Sequence, residues 1–485
     1  MSKKAIIIGA GIAGIASAIR LSSKGYKVKV YEKNKKLGGK LTDFQLGDYR
    51  FDFGPSLFTM PQYVEELFTL HNKNSSDYFE YIETDIACKY FYKDQTQFSA
   101  YTDEAKFIAE AVATFDVSRN DLQKFMHTNK KIFENAAGVF LENSLHKMKT
   151  WLSKDVLKSL THAYVFDLMK SMHKVTSREL SDEKLVQFFD RYATYNGSNP
   201  YKASSILNSI SSLEHDYGTY FPVGGMSNIT GSLVKLAKEL GVDFHTESTV
   251  EEILYERKRV KGVKVKGQAE NADIIVSNMD VKFTYEKLLG QKNTKKLDRR
   301  EKSSSAVIFY WGINRKFDKL GLHNILFSED YRKEFNEIFN QHVPPSNPTV
   351  YINISSKYSQ TDAPQNGENW FVMVNVPADF GQDWDAAIIA LKKSIQRTID
   401  QRLSCDIKSH IVEEFVADPR TIRDKTLSHR GALYGSSSNH WLSAFLRHPN
   451  FTNKIEGLYF VGGTVHPGGG IPLCLLSAKI MSEIV

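Results

Sequence analysis

The sequence predicts an α/β protein with a discontinuous Rossmann-like dinucleotide-binding domain, an antiparallel-sheet domain and a helical region. Three observations lead to this prediction. A strand, a glycine-rich turn and a helix begin the chain. A strand, more glycines and a helix end it. Between them, apolar and polar residues alternate from 304 to 418, which is typical of an antiparallel sheet.

The first element is a short apolar run, 5–8, which is typical of a buried parallel strand. Glycines with the spacing G-x-G-x-x-G follow it. Gly9 allows the tight turn, Gly11 lets the backbone approach a pyrophosphate, and Gly14 lets helix and strand pack closely. Because a strand precedes these glycines and a helical pattern follows them, they predict a dinucleotide site.

The helix after this turn begins with Ile12 and Ala13, where unpaired N–H groups attract phosphate. A second strand, 27–31, ends at Glu32, the position of the acidic residue that binds a ribose hydroxyl in such domains. The same stretch superficially resembles a secretory signal peptide. Three glycines, a second strand and a carboxylate do not belong to the pattern of a signal peptide, so we expect no signal peptide here.

A second glycine pair stands shortly after the acidic position, and Gly39 is followed by Lys40 and Leu41. Glycines here would let the chain pass close to the cofactor, with Lys40 near a phosphate or a ribose. The alternative is a surface turn.

The C-terminal part repeats the succession of strand, glycines and helix. The strand 458–461 runs into a glycine-rich segment that includes Gly463, Gly470 and Ile471, and Pro472 suits the first turn of the helix. A helix start aimed at a flavin ring would stabilise the negative charge that gathers there on reduction. The alternative is an ordinary strand–helix turn, which needs fewer glycines.

The predicted domains follow from these patterns. Residues 1–62, 217–303 and 419–485 form the dinucleotide-binding domain, 63–216 form the helical region, and 304–418 form the sheet domain that carries the substrate. Within the helical region, apolar residues at helical spacing alternate with lysines from 145 to 164. This pattern is expected of an amphipathic helix on a membrane surface, but by itself it favours the alternative, a core-facing helix with a solvated lysine face.

Composition narrows the function classes. The 485 residues have 41% hydrophobic and 25% charged side chains, as in an ordinary globular protein. The net charge of +7 comes from dispersed residues without a nucleic-acid-binding motif, so no nucleic-acid partner is expected. Three widely spaced cysteines predict no metal site and favour a reducing, cytoplasmic compartment. No apolar run is long enough to cross a bilayer.

Several segments resemble the bacterial-type carotenoid desaturases, the FAD-dependent family that includes phytoene desaturase. The resemblance covers nearly the whole chain. It rests on five runs: 52–56 (DFGPS), 195–200 (YNGSNP), 221–226 (FPVGGM), 445–450 (FLRHPN) and 458–472 (LYFVGGTVHPGGGIP). Within the family, the sequence is most similar to the branch of flavobacterial 1-hydroxycarotenoid 3,4-desaturases. The resemblance implies the fold of the amine oxidase and phytoene desaturase superfamily.

The resemblance also implies a cofactor and a reaction. One FAD per chain would be held without a covalent bond, with Gly54, Pro55 and Ser56 among its contacts and Val250 at its adenine end. Two hydrogens would leave adjacent carbons of a polyene, one as hydride to the flavin and one as a proton. The carotenoid would lie in an apolar tunnel. The enzyme would be peripheral to the cytoplasmic membrane, with quinone or O₂ as electron acceptor.

The sequence assigns no catalytic base. Asp52, His440, Arg447 and His466 are candidates, but a lone polar residue in a glycine-rich loop is more often structural. The alternatives to a hydroxycarotenoid desaturase are a phytoene desaturase forming lycopene, a flavin-dependent carotenoid isomerase and an amine oxidase-like enzyme. A non-catalytic carrier that keeps flavin for structure is the alternative from another class.

Overall fold

The structure, a computed structural model, describes residues 2–136, 141–151, 167, 169–291, 294–440 and 447–485. These residues form a five-stranded parallel sheet and a seven-stranded mixed sheet, together with one three-stranded and two two-stranded sheets. None of the helices within these ranges is long and apolar enough to cross a membrane.

The strands, in chain order, are β1 (Lys4–Ile8), β2 (Lys27–Tyr31), β3 (Asp43–Leu46), β4 (Tyr49–Asp52), β5 (Tyr81–Glu83), β6 (Ile86–Phe91), β7 (Gln97–Tyr101), β8 (Tyr220–Pro222), β9 (Asp243–His245), β10 (Val250–Glu256), β11 (Arg259–Val265), β12 (Gln268–Asn271), β13 (Ile274–Ser277), β14 (Ser305–Ile313), β15 (His323–Leu326), β16 (Val350–Asn353), β17 (Glu368–Val376), β18 (Ile411–Ala417) and β19 (Leu458–Phe460).

The α-helices are α1 (Ile12–Ser23), α2 (Gln62–Thr69), α3 (Glu104–Thr114), α4 (Arg119–Ala136), α5 (Met148–Trp151), α6 (Met172–Glu179), α7 (Glu183–Asp190), α8 (Ser212–His215), α9 (Ser227–Glu239), α10 (Val281–Phe283), α11 (Lys295–Asp298), α12 (Tyr331–Asn336), α13 (Trp384–Leu403), α14 (Pro419–Thr426) and α15 (Ile471–Ile484). Shorter 3₁₀ segments are Ser75–Asp77, Arg191–Asn196, Ser205–Ser211, Ser355–Lys357, Gln360–Asp362, Ile407–His410 and His429–Gly431, and π-helical turns are Thr284–Leu288 and Glu337–Gln341.

The parallel sheet has the order β19-β13-β1-β2-β9, so its strands come from the beginning, the middle and the end of the chain. Strand β1 lies at the centre of this sheet, and four of its five residues are therefore buried. Helices α1 and α15 pack together on one face, and β10–β12 cover the other. The carboxyl ends of parallel strands meet at one edge, so the loops after β1, β13 and β19 come together there.

The mixed sheet has the order β18-β14-β17-β16-β15-β6-β7. Its long central strands β14 and β17 are buried along almost their whole length, which explains their apolar composition. Helix α13 packs against one face through Ile395 and Ile399. The opposite face carries side chains that line the cavity described below.

The structure differs from the prediction of a helical region over 63–216. Residues 81–101 of this region form strands, and β6 and β7 join the mixed sheet. Strand β6 pairs with β15 in parallel, so the sheet is not wholly antiparallel. In this hairpin the aromatic side chains of Tyr90 and Phe98 are buried and lie opposite each other. The chain turns at Gln95, whose φ is 69°.

Most of the predicted amphipathic helix, 145–164, lies outside the described residues. Within the described part, Leu145 is buried and only 148–151 are helical. The ammonium of Lys147 lies 4.4 Å from the centroid of the Phe451 ring. This lysine therefore packs against the protein.

Candidate cofactor and substrate cavity

One cavity of about 610 Å³ lies between the carboxyl edge of the parallel sheet and the inner face of the mixed sheet. It is lined by all but one of the residues that the sequence predicts to hold a cofactor: Gly9, Gly11, Ile12, Ala13, Glu32, Gly39, Lys40, Leu41, Gly54, Pro55, Ser56, Val250, Gly463, Gly470 and Ile471. The exception, Gly14, has a packing role. A Cβ at this position would lie 2.2 Å from the carbonyl oxygen of Gly9.

The N-terminus of α1 opens onto this cavity. Gly11 is its N-cap and supplies no side chain, and the first turn carries no acidic residue. In the amide orientation that satisfies its neighbours, Asn278 Oδ1 accepts hydrogen bonds from the N–H groups of Gly11 at 3.1 Å and Gly14 at 3.3 Å. The N–H groups of Ile12 and Ala13 have no intrahelical partner and belong to residues that line the cavity.

The Glu32 carboxylate is held in place by its neighbours. Its Oε2 accepts from the N–H of Ala10 at 2.8 Å, and its Oε1 accepts from the N–H and Nδ2 of Asn34 at 2.9 and 2.8 Å. The side chain is buried at the cavity wall. Oε2 accepts only one of these bonds and keeps a free lone pair, so Glu32 can also receive a hydroxyl donor.

The second glycine pair crosses the first motif. The N–H of Gly38 donates to the carbonyl oxygen of Ala10 at 2.7 Å, so Gly39 and Lys40 lie beside the turn after β1. The ammonium of Lys40 donates to the carbonyl oxygen of Leu433 at 2.8 Å. Burial lowers the pKa of Lys40. This lysine therefore gives the cavity wall a donor that a phosphate or ribose can share.

The second helix N-terminus belongs to α15. Gly470 is its N-cap with φ 106°, a conformation that glycine adopts without strain, and no side chain caps the helix. The buried Arg447 guanidinium donates to the carbonyl oxygens of Tyr434 at 2.6 Å and Gly463 at 3.1 Å. Burial lowers its pKa to about 10. Arg447 thus fixes the glycine loop in front of the helix.

These groups fit a dinucleotide. The N–H groups left open at the starts of α1 and α15, a fixed carboxylate and a buried lysine line one cavity, and they match the phosphate and ribose groups that such a ligand carries. Glycines along the wall let the backbone approach the ligand closely.

The candidate bases have other roles or positions. Asp52 accepts from the N–H groups of Met226 and Ser227 at the start of α9, and it forms an ion pair with Arg50 at 2.8 Å. His440 is exposed and does not line the cavity. His466 lines it, but its Nε2 is hydrogen bonded to the carbonyl oxygen of Asn143 at 2.9 Å.

The other half of the cavity lies against the mixed sheet. Ile308, Met373, Tyr351 and Ile325 are successive partners across β14, β17, β16 and β15, and all four line the cavity. Leu207 on the Ser205–Ser211 segment also contributes to the lining. This half is therefore walled mainly by apolar side chains, as a polyene requires.

A cluster of polar side chains, which we call the polar end, also lines this half. Its members are Arg191, Tyr195, Glu214, His323 and Tyr351. The guanidinium of Arg191 lies 3.2 Å from the Glu214 carboxylate, which also accepts from the hydroxyl of Tyr195. Burial opposes ionisation of Glu214, but Arg191 and the hydroxyls outweigh it and hold its pKa below the usual value.

Comparison with known proteins places this geometry in a family. Residues 12–485 match the flavin containing amine oxidoreductase family. The chain is 48% identical over 484 residues to a 1-hydroxycarotenoid 3,4-desaturase of Flavobacterium sp. (strain P99-3), covering 100% of this chain and 99% of that one. It is 31% identical to a 4,4'-diapolycopene oxygenase of Methylomonas sp, covering 99% and 98%.

The fold agrees with these matches. An oxidoreductase from Methanosarcina mazei superimposes with a TM-score of 0.65 at 16% identity, covering 99% of this chain and 100% of that one. The chain therefore belongs to the flavin containing amine oxidoreductases and, within them, to the carotenoid desaturases, and it is an FAD-dependent oxidoreductase.

Proposed function

We propose that the protein is an FAD-dependent carotenoid desaturase that introduces the 3,4 double bond into a 1-hydroxycarotenoid of the hydroxy-γ-carotene type. The observation that carries the proposal is the 48% identity, over the whole chain, to a relative with that activity. The cavity supports it, because one continuous space holds both the dinucleotide-binding groups and an apolar half against the mixed sheet.

The residues at the parallel sheet bind and orient the cofactor. Glu32 would receive the adenine ribose, the helix starts at Ile12 and Ile471 would face anionic groups of the cofactor, and Val250 would lie at the adenine end; all four residues line the cavity. FAD, when bound, supplies the hydride acceptor that none of the protein side chains can replace.

The apolar half holds the polyene and excludes water. Met373, Ile308 and Ile325 on the sheet, with Leu207 opposite, offer contacts along a hydrocarbon but no donors to it. The substrate is therefore positioned by shape and by one end, and the side chains of this wall hold no proton for the reaction. We assign no base.

The test is pigment analysis with purified protein, FAD and liposomes that contain either hydroxy-γ-carotene or phytoene. We expect 3,4-desaturated hydroxycarotenoid and anaerobic bleaching of the flavin. Rapid multi-step conversion of phytoene to lycopene would support a phytoene desaturase instead. Isomerisation without consumption of an acceptor would support an isomerase, and the absence of bleaching would support a carrier.

The proposal includes peripheral attachment to the cytoplasmic membrane, because a carotenoid must be drawn from a bilayer. Trp151 and Met169 support this part of the proposal. They flank residues 152–166, and their side chains are 37% and 75% exposed despite being large and apolar. A quinone dissolved in the same membrane, or O₂, would reoxidise the flavin.

A further inference from the structure

The polar end is unusual because it lies in a cavity half that is otherwise suited to hydrocarbon. Arg191 and Glu214 are less than a tenth exposed. Their charges are compensated internally, since Glu214 accepts from Arg191 and from the hydroxyls of Tyr192 and Tyr195. A compensated pair does not require a charged ligand. The polar end is therefore suited to a neutral polar group.

His323 offers the contact for such a group. It begins β15, is only 3% exposed and lines the cavity. Its Nδ1 lies 2.7 Å from the hydroxyl of Tyr351 and 3.2 Å from the Nδ2 of Asn353, which can only donate, and the Tyr351 hydroxyl lies 2.7 Å from Ser56 Oγ. Its Nε2 has no hydrogen-bond partner among the residues that the structure describes. A buried polar nitrogen without a partner is costly, and a ligand that satisfies it gains affinity.

The charge state of His323 restricts the ligand further. Burial lowers its pKa to about 4, so the ring is neutral near pH 7. Because Nδ1 accepts from the Asn353 amide, Nε2 of the neutral ring carries the hydrogen and donates, and a hydroxyl oxygen can accept from it. A hydrocarbon end group cannot accept this bond, and it would leave the nitrogen unpaired.

We propose that His323 Nε2 binds the hydroxyl on the end group of the polyene and is a specificity-determining residue of this enzyme. The inference rests on the proposed function. Ser56 lies in the segment predicted to contact FAD and is joined to His323 through Tyr351. The same hydrogen-bonded chain therefore fixes the position of the substrate end relative to the cofactor.

The test compares hydroxy-γ-carotene with γ-carotene, each in liposomes. The two carotenoids differ in the end group that carries the hydroxyl. The rate of anaerobic flavin bleaching is measured at low substrate for the wild type, His323→Phe and His323→Gln. We expect His323→Phe to lose about tenfold with hydroxy-γ-carotene and to be unchanged with γ-carotene. His323→Gln keeps an amide donor and acceptor and should recover part of the loss.

Met373→Leu is the matched control, because it alters an apolar residue of the same cavity wall. It should change the rates with both polyenes by the same factor. Flavin content of each purified variant reports folding, and His323→Gln keeps the test valid if His323→Phe does not fold.

The two proposals fail in different ways. If neither polyene bleaches wild-type flavin, the proposed function is wrong and the inference falls with it. If wild-type flavin is bleached but both His323 variants keep the wild-type ratio between the two polyenes, only the inference is overturned. The partner of Nε2 would then be water.

Discussion

At the scale of single residues, Glu32 shows how a carboxylate is prepared for a ligand. Its two oxygens already accept three hydrogen bonds from Ala10 and Asn34, so the side chain is fixed before a ribose arrives. The conformational entropy of this side chain is therefore lost on folding and not on binding. A ribose hydroxyl that binds here forms a charge-assisted hydrogen bond.

The first prediction concerns this carboxylate. Glu32→Ala should weaken FAD binding by about 1.5–3 kcal/mol, the value of a hydrogen bond to a charged group. Glu32→Gln keeps the size of the side chain but sets its NH₂ group against a backbone N–H donor, so it should lose at least as much. Titration of the apoprotein with FAD, followed by quenching of flavin fluorescence, measures the dissociation constant. Glu65→Ala, which removes a carboxylate bonded to Tyr81 away from the cavity, is the control. Wild-type affinity in Glu32→Ala would exclude this role.

The second prediction concerns Glu334, a buried carboxyl bonded to Ser328 and Thr349. Burial raises its pKa from 4.5 to about 7. The folded state therefore holds this proton at a higher pH than the unfolded state does. The resulting stability is complete below pH 4.5 and is lost as the pH rises through 7, an effect of about 3 kcal/mol.

Glu334→Gln imitates the protonated acid and should remove this part of the pH dependence. Unfolding in urea at pH 5 and pH 8 measures the free-energy difference for both proteins. Glu104→Gln, at an exposed helix position, should keep the wild-type dependence. An equal loss of stability with pH in wild type and Glu334→Gln would contradict the prediction.

At the scale of elements, two helices share one task. Both α1 and α15 begin at a glycine without a side-chain cap, and neither first turn has an acidic residue. At α1 the Asn278 side chain accepts from Gly11 and Gly14, which leaves the N–H groups of Ile12 and Ala13 for an anionic ligand. At α15 no side chain caps the helix, which also favours an anionic ligand. The stretch 145–164, which is basic and amphipathic in sequence, is another part of the chain expected to favour an anionic partner.

The third prediction tests this stretch as a membrane contact. Changing Lys149, Lys154 and Lys158 to Glu should weaken binding to anionic liposomes, because each lysine near such a surface contributes about 1 kcal/mol. Lys147 is left intact because it packs on Phe451. Flavin content should not change.

The control makes the same charge change elsewhere, at the exposed residues Lys316, Lys319 and Lys408. Sedimentation with anionic and with neutral vesicles measures binding for both triple variants. If the control loses as much binding as the test variant, the effect is one of net charge. If neither loses any, the contact lies outside 145–164.

At the scale of the whole molecule, the sequence predicts most of the cofactor half and little of the substrate half. The glycine spacing, Glu32 and the C-terminal glycines are local signals, each contained in a few consecutive residues. The contact of Asn278 with Gly11 has no such signal, since 278 lies far along the chain and reaches α1 only through the pairing of β1 with β13.

The polar end could not be predicted for the same reason. Arg191 and Glu214 come from separate short helices, and His323 and Tyr351 from neighbouring strands of the mixed sheet. No spacing in the sequence brings them together. The hairpin β6–β7, within the predicted helical region 63–216, has no local signal either, because it completes a sheet whose other strands lie far along the chain.

The last prediction follows from the discontinuous cofactor site. The residues that line it include members of 9–13, 32–41 and 463–471, so FAD bound there would join the beginning of the chain to its end. A ligand that binds only the folded state at 100 times its dissociation constant stabilises it by about 2.7 kcal/mol. The midpoint of thermal unfolding should therefore rise with FAD concentration. FMN lacks the adenine end that Glu32 and Val250 would hold, and it should give a smaller shift at the same concentration.

Hydrogen exchange should show α1 and α15 slowing together on addition of FAD, because both helices begin at the predicted cofactor site. Slowing of only one of them would mean that the two helix starts do not share a ligand.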